Sequence, residues 1–465
     1  MRKTKIICTV GPATNSFETL KHMYDAGMNV VRLNMSHGTH ESHAEIIKFV
    51  KKMNESNKYP IPIMLDTQGP EIRTGTMQDD LQLQEGDVIR VSVRGEDVEQ
   101  TSFHIQYEDL INTVNEGDTI TVDNGLINLI VLKKENGTMK CRVIHGGRLK
   151  SKSHVNLPGV RVNLPAITEK DKKDILFGLE HDVDYIALSF VREANDVRQL
   201  RELLGDMADK IKIISKIEDQ QGVSNIEEII DASDAVMVAR GDLGIEIHLE
   251  ELPNVQRNIV RKCHERGKRV IVATHLLESM IQNPVPTRAE VTDVANAIYE
   301  EVDAVMLSGE TAMGKYPVRC VEYLDSIARA SERLHGLQFS KGLIKTDDKQ
   351  HLAASAVRMA EDINARGIMV ITRRGFMAQN VTNCRPFKTT IFAFTQDERV
   401  RRQLNLNRDV VANHVDFSEE PEDMIIEALE ILKYEEGFQP GDKVIVTSDI
   451  IAGSGIDAIQ IRSIH

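Results

Sequence analysis

Short unbroken runs of Val, Ile, Leu, Met and Ala alternate along this chain with longer stretches in which apolar residues recur at helical spacing. The runs fall at 5–10, 30–34, 62–66, 185–190, 211–216, 235–239, 269–274 and 304–308. A run that is apolar at nearly every position predicts a strand covered on both faces, as a parallel sheet flanked by helices requires. Eight such units with helices between them predict a (β/α)8 barrel. An open doubly wound sheet is the structural alternative, but it seldom needs eight regular units.

The pattern changes over residues 70–163. Turn signals are dense there: Glu85-Gly86-Asp87, Glu116-Gly117-Asp118, Asp123-Asn124-Gly125 and Glu135-Asn136-Gly137. Between them lie β-rich stretches, among them 119–122 and 126–133, with no long helical period. Gly69-Pro70 opens the segment, and Pro158-Gly159 and Pro165 close it. This predicts a small all-β domain inserted on the C-terminal face of the barrel, where active sites of that fold lie, and acting as a lid. The barrel is then 1–69 plus 164–340, and 341–465 forms a third, α/β domain. That last part opens with a polar linker at 345–350 and a helical pattern over 353–365. Strands are expected at 368–372, 390–395, 410–415 and 443–448, with an edge strand over 456–464.

Composition narrows the function. Hydrophobic residues make up 41% and charged ones 28%, as in a globular protein with more than one core. Aromatics are 4%, Trp is absent and the net charge is −14, which argues against nucleic acid as a partner. No stretch approaches 18 apolar residues, and the opening MRKTKIICTV has no signal-peptide core, so neither a membrane span nor export is expected. Five scattered cysteines form no disulfide or metal-ligand framework, which fits a cytoplasmic location.

Charged side chains stand where several apolar runs end. Lys216 and Glu218 close the fifth run, and Arg240, Gly241 and Asp242 close the sixth. An acid at each end can share one Mg²⁺ or Mn²⁺, with Lys216 and Arg240 beside it to hold a highly charged oxyanion. The plainer alternative is that the two acids cap the following helices and Lys216 forms an ion pair. Polar groups from six predicted strands converge on one mouth, more than turn chemistry needs. Arg32, Arg73 and Lys216 suit phosphoryl oxygens. Asn34, Ser36, Asp66 and the Thr67 carbonyl make an all-oxygen set with one formal charge, suited to a monovalent cation or to a turn network. His37, His40 and His43, with Glu41 and Glu45, are expected to line a solvated helix start rather than bind a metal. No GxxxxGK[ST] loop occurs.

The chain resembles pyruvate kinase over nearly its full length. The matching strings are TKIICTVGPAT at 4–14, VVRLNMSHG at 30–38, LDTQGPEIRTG at 65–75 and VNLPGVRVNLPAITEKD at 155–171. They continue with ISKIEDQQGV at 214–223, VMVARGDLGIEI at 236–247, PTRAEVTDVANA at 286–297 and DAVMLSGETAMGKYP at 303–317. The resemblance implies phosphoryl transfer from phosphoenolpyruvate to ADP, giving ATP and pyruvate, as the final step of glycolysis. It also implies a homotetramer with a C-terminal regulatory domain. Glu218 and Asp242 match divalent-metal ligands; Arg32, Gly241, Asp242 and Thr274 match substrate contacts. Lys216 matches the lysine that neutralises the phosphoryl group and the developing enolate, and Thr274 is assigned to the water chain that protonates the enolate. Arg73 matches a nucleotide-phosphate contact, and Asn34, Ser36, Asp66 and Thr67 match potassium ligands. Glu71 matches the potassium-activated form of the family.

Three departures from the family pattern stand out. Ser153-His154 precede Val155 where the family has Lys-Gly, leaving Lys152 to reach the nucleotide. His275 follows Thr274 in place of Gln. The effector loop reads Thr372-Arg373-Arg374-Gly375-Phe376-Met377, poor in hydroxyls, with Gly453, Ser454 and Gly455 offered as further phosphate contacts. A sugar phosphate or a nucleotide is the expected class of effector. The competing readings are a metal-dependent lyase or aldolase on the same barrel, and a non-catalytic metabolite sensor. The sensor would be expected to lack Lys216, Glu218 or Asp242, and all three are present.

Overall fold

A computed structural model describes residues 2–93, 103–135, 137–448 and 458–465. Eight parallel strands close into a barrel: Lys5–Thr9, Val30–Asn34, Ile63–Asp66, Tyr185–Leu188, Lys212–Ile217, Ala235–Ala239, Arg269–Ala273 and Ala304–Leu307. Each pairs with its neighbour in sequence, and the eighth returns to the first, with Lys5 opposite Ala304. The predicted runs and the strands agree to within two residues at either end. Strands buried on both faces carry no polar alternation, so the apolar run and the element nearly coincide.

Two apolar layers hold the barrel. One lies between the strands and the surrounding helices, where Ile6, Val31, Leu65, Ile186 and Val236 meet Leu20, Ile47 and Val260. The other fills the interior with Ile7, Val30, Met64, Tyr185, Ile214, Met237, Ile271 and Met306, closed by Leu406 from the C-terminal part. A packed interior leaves the strand ends as the place for chemistry.

Between the third and fourth strands the chain forms a seven-stranded sheet, a two-stranded sheet and their own core of Ile89, Val91, Ile120, Leu129, Met139 and Val155. The chain enters this unit at Gly69, with φ +74°. A Cβ there would lie 2.8 Å from the Ser189 Cβ and 2.9 Å from the Phe190 ring, so the position needs glycine both for its backbone and for close approach. The C-terminal part is a five-stranded sheet. Val410–His414, Thr390–Thr395, Gly367–Ile371 and Lys443–Ser448 run parallel, and Ile459–Ser463 is antiparallel at the edge.

Two expectations are corrected. The helix expected over 353–365 starts at Asp348, inside the supposed linker, because the Asp347 carboxylate caps it by accepting from the Gln350 N–H. The helix start after His37 is solvated at His37, Glu41 and Glu45, as expected, but His40 and His43 pack inward. His43 is buried and its Nε2 meets the His37 carbonyl at 2.8 Å; His40 contacts Asp174 at 2.7 Å and stacks on Phe177.

Candidate active site

The C-terminal ends of the barrel strands join four charged side chains, Arg32, Asp66, Lys216 and Glu218, in one network. Arg32, from the second strand, donates from Nε to Asp66 at 2.6 Å and from Nη1 to the Thr9 hydroxyl at 2.8 Å. Asp66, ending the third strand, is wholly buried and also lies 3.1 Å from the Lys216 ammonium. Lys216 is 3.0 Å from Glu218 and donates to the Ser189 hydroxyl at 2.6 Å. Burial alone would raise the Asp66 carboxyl, but Arg32 and Lys216 outweigh it and hold it below its ordinary range. Burial would lower Lys216; Asp66 and Glu218 reverse that and hold the ammonium firmly protonated.

Neither metal-candidate acid is spent on capping. The helix Gln220–Ser224 is capped by Asp219, whose carboxylate accepts from the Gly222 N–H at 2.7 Å. The helix Arg240–Glu246 has no side-chain cap. Glu218 accepts from the Phe190 N–H at 2.7 Å, and the Asp242 carboxylate is 3.9 Å from His154 Nδ1. Burial raises Glu218 and Asp242 adds to it; burial raises Asp242, with Glu71 and Asp66 adding. Two crowded acids whose charges are disfavoured fit a divalent cation, which would relieve both. Among the described residues no three His, Cys, Asp or Glu side chains form a ready metal cluster. A cation held by Glu218 and Asp242 would therefore complete its shell with substrate oxygens and water, as Mg²⁺ commonly does.

Arg240 is a correction. Its guanidinium turns away from the two acids, donating to Asp293 at 2.7 Å and to the Thr274 carbonyl at 2.7 Å. It ties the sixth strand end to the seventh, and these contacts occupy the guanidinium that was expected to help hold an oxyanion. The Gly241 N–H donates to the Thr274 hydroxyl at 2.7 Å, which in turn donates to the Ala273 carbonyl at 2.6 Å. Thr274 and His275 both have positive φ, +68° and +54°, an uncommon backbone for side-chain-bearing residues. His275 is exposed.

Parallel register sets Asn34 opposite Asp66. Asn34 Oδ1 accepts from the Ser36 N–H at 3.1 Å, and the Thr67 carbonyl accepts from the Ser189 hydroxyl at 2.7 Å. The monovalent-cation candidates thus share one corner, although Asp66 is also the partner of Arg32 and Lys216.

The inserted unit brings in Glu71, Arg73 and His154. Glu71 accepts from Arg73 Nε at 2.7 Å and from Gln68 Nε2 at 2.9 Å. Arg73 Nη1 donates to the Lys152 carbonyl at 2.8 Å. His154 pairs with Arg73 across two antiparallel strands. Ser153 is buried and donates to the Lys150 carbonyl, while Lys152 is exposed with φ +58°. Of the Lys152-Ser153-His154 stretch, it is His154 that faces Asp242.

Thr9 and Ser189, from strands one and four, were missed by sequence reasoning. A single hydroxyl after an apolar run carries no distinguishing signal; only the closed register aims them at Arg32 and Lys216. In the C-terminal part Thr372 is buried and accepts from the Gly375 N–H at 3.0 Å. Arg373 and Arg374 line a cavity of about 1050 Å³ with Arg201, Lys210, Lys212 and Arg399. Gly453, Ser454 and Gly455 lie outside the described residues.

A family model described as pyruvate kinase, barrel domain, matches residues 1–321, and one described as pyruvate kinase, alpha/beta domain, matches residues 350–461. The pyruvate kinase of Staphylococcus epidermidis is 46% identical over 410 residues, covering 87% of this chain and 70% of that protein. That of Staphylococcus haemolyticus is 47% identical over 414 residues, with the same 87% and 70%. The chloroplastic pyruvate kinase isozyme G of Nicotiana tabacum is 44% identical over 437 residues, covering 93% of this chain and 77% of that protein.

Proposed function

This chain belongs to the pyruvate kinase family, and from that membership we propose that it transfers the phosphoryl group of phosphoenolpyruvate to ADP, giving pyruvate and ATP, in glycolysis. The observation that supports this most is Lys216, buried and charged between Asp66 and Glu218 at the barrel mouth. Phosphoryl transfer needs positioning and charge cancellation among crowded oxygens more than covalent help.

Arg32 has its Nε and Nη1 fixed by Asp66 and Thr9, so its remaining edge is oriented for a substrate oxyanion. Lys216 neutralises charge on the moving phosphoryl group and on the enolate oxygen left behind. The Thr274 hydroxyl orders the water that delivers a proton to the enolate carbon. The Gly241 backbone and Asp242 contact the substrate, and Arg73, His154 and Lys152 border the nucleotide side. A divalent cation at Glu218 and Asp242, Mg²⁺ or Mn²⁺, would supply further charge neutralisation to the phosphoryl oxygens. Asn34, Ser36, Asp66 and Thr67 would hold K⁺. A phosphorylated effector, sugar phosphate or nucleotide, is assigned to Thr372, Arg373 and Arg374, and the assembly to a homotetramer. The inserted β unit, 70–163, serves as the lid.

The test is pyruvate formation from phosphoenolpyruvate and ADP with Mg²⁺, comparing K⁺ with tetramethylammonium at equal ionic strength. Activity requiring K⁺ is expected; no activity in either salt sinks the reading. Glu71→Lys places an ammonium where the anion now pairs with Arg73. This variant should lose most of its K⁺ stimulation while keeping its Mg²⁺ requirement. An unchanged K⁺ response would remove Glu71 from the cation argument.

Among the described residues no helix is long and apolar enough to cross a membrane.

A further inference from the structure

Beside the candidate active site, a further carboxyl group has no role in the chemistry above. Glu246 ends the helix that starts at Arg240, and its Oε1 accepts from Asn156 Nδ2 at 2.8 Å. Asn156 is the last residue of the strand His154–Asn156, the one that carries His154 and pairs with Arg73. The amide is buried, and its Oδ1 has no hydrogen-bond partner. A buried carbonyl oxygen left unpaired is costly, and here the natural donor for it is missing from an ionised carboxylate.

A carboxylic acid supplies that donor. When Glu246 carries a proton, the two head groups can close a ring. Asn156 N–H donates to one carboxyl oxygen, and the acid O–H donates to Asn156 Oδ1. Both the buried amide and the half-buried carboxyl are then satisfied. We propose that Glu246 is a positioning residue that works as the neutral acid, clamping the His154–Asn156 strand of the inserted unit to the barrel through this reciprocal pair with Asn156. The clamp fixes the strand that sets His154 toward Asp242 and Arg73 toward the mouth. It goes beyond the assignments above, and only its consequence for nucleotide use rests on the phosphotransfer reading.

The surroundings favour the acid. Enclosure by the protein raises the Glu246 carboxyl; Asn156 and the Leu157 N–H pull it down, and Asp219 and Asp242 push it up again, leaving it at about 7. Asp219 faces it from the turn after the fifth strand and Asp242 from its own helix. Gln220 approaches only its backbone, donating from Nε2 to the Glu246 carbonyl at 2.9 Å. Asn156, Leu157 and Glu246 line a cavity of about 640 Å³, which gives the proton a route to solvent. Arg161, Arg192, Glu193 and Glu228 line the same cavity. A folded value above that of an exposed glutamate means the clamp is present at low pH and is lost as pH rises through about 7.

Glutamine reproduces the acid at every pH, because its amide offers one donor and one acceptor in the same geometry. Hydrogen exchange of the 154–156 strand in the substrate-free protein, corrected for the intrinsic pH dependence, tests this directly. In the wild type, protection should fall about tenfold between pH 6 and pH 8, the change one buried hydrogen bond supports. Glu246→Gln should hold the protected value across that range, and Asn156→Ala should show the low value throughout. With turnover as a second readout, the wild-type KM for ADP should rise over the same interval, and in Glu246→Gln it should stay flat. A wild-type strand whose protection does not change with pH overturns the proposal. So does a Glu246→Gln or Asn156→Ala protein that keeps the wild-type pH dependence. The exchange measurement needs no substrate, so inactivity toward phosphoenolpyruvate would count against the reaction and leave the clamp to be judged on its own.

Discussion

Turnover should fall about 10³-fold when Lys216 becomes methionine, with the Michaelis constant for phosphoenolpyruvate little changed. Methionine keeps most of the side-chain volume, so the fifth strand stays packed and only the charge is removed. Losing one oriented donor at a site of developing charge costs about 10²–10³ in rate. Lys216 belongs at the upper end because it is proposed to act on both the donor phosphoryl group and the enolate product. Ground-state binding survives because Arg32 keeps both of its fixed contacts, to Asp66 and Thr9. A loss confined to turnover is the signature of an interaction made mainly in the transition state.

The pH behaviour sharpens this prediction. Asp66 and Glu218 hold the Lys216 ammonium above its ordinary range, so it stays charged throughout the accessible pH interval and gives the rate profile no alkaline limb. In Lys216→Met, Glu218 loses the cation 3.0 Å away while Asp242 still pushes it up. The variant should therefore take up a proton in this cluster at a higher pH than the wild type, visible by potentiometric difference titration. Full turnover in the variant would sink the role assigned to Lys216. A lower melting temperature is expected, because Asp66 and Glu218 lose their counter-charge. Only a variant already unfolded at the assay temperature would show that the loss of turnover comes from the fold instead.

The barrel was legible because its strands are buried on both sides. Val30–Asn34 and Ala235–Ala239 show the same bounds in pattern and structure, as do Thr390–Thr395 and Lys443–Ser448 in the C-terminal sheet. Most of the residues at the mouth, though not the Thr9 and Ser189 hydroxyls, were also legible, since the end of a parallel strand defines a position. Side-chain direction was not. Arg240 follows an apolar run just as Lys216 nearly ends one, yet Asp293, on a helix 53 residues later, turns it away. His43 carries the same helical spacing as a solvated residue but packs inward, because its ring has the His37 carbonyl to meet. The Asn156–Glu246 contact joins residues 90 positions apart and has no motif at all. Such features depend on long-range partners that periodicity does not encode.

The opposite end of the barrel carries the second large effect. Asp303 immediately precedes the eighth strand, on the N-terminal face, where residues in this fold serve stability rather than catalysis. Its carboxylate is wholly buried and takes Arg385 as a fork, Nη1 to Oδ1 and Nη2 to Oδ2, both at 2.7 Å. Arg269 adds a contact at 3.2 Å, and the Val270 and Arg408 N–H groups donate at 3.0 and 3.2 Å. One carboxylate thus joins the barrel to the C-terminal part through residues more than 80 positions apart.

Replacing Asp303 by asparagine should cost about 3–5 kcal/mol, because it strips the counter-charge from buried Arg385 and Arg269. Burial would raise the Asp303 carboxyl, but Arg269 and Arg385 hold it well below the usual carboxylate range. A depressed folded value means the stabilisation is fully present above the unfolded value, near pH 4, and is lost only as pH falls toward the folded one. The gap in stability between wild type and Asp303→Asn should therefore be constant from neutral pH down to about 5 and narrow below about 4. The chain has no Trp, so the melts are followed by circular dichroism. Turnover measured well below the melting temperature should be unchanged, the reverse of the Lys216 result. The order of the partners is also fixed by geometry. Arg385→Met breaks the two-pronged contact and should cost more than Arg269→Met, which breaks the single contact at 3.2 Å. A loss under about 1 kcal/mol for Asp303→Asn, or the opposite order of the two arginines, would mean that the desolvation of these ions cancels their attraction and that the barrel is joined to the C-terminal part by its other contacts.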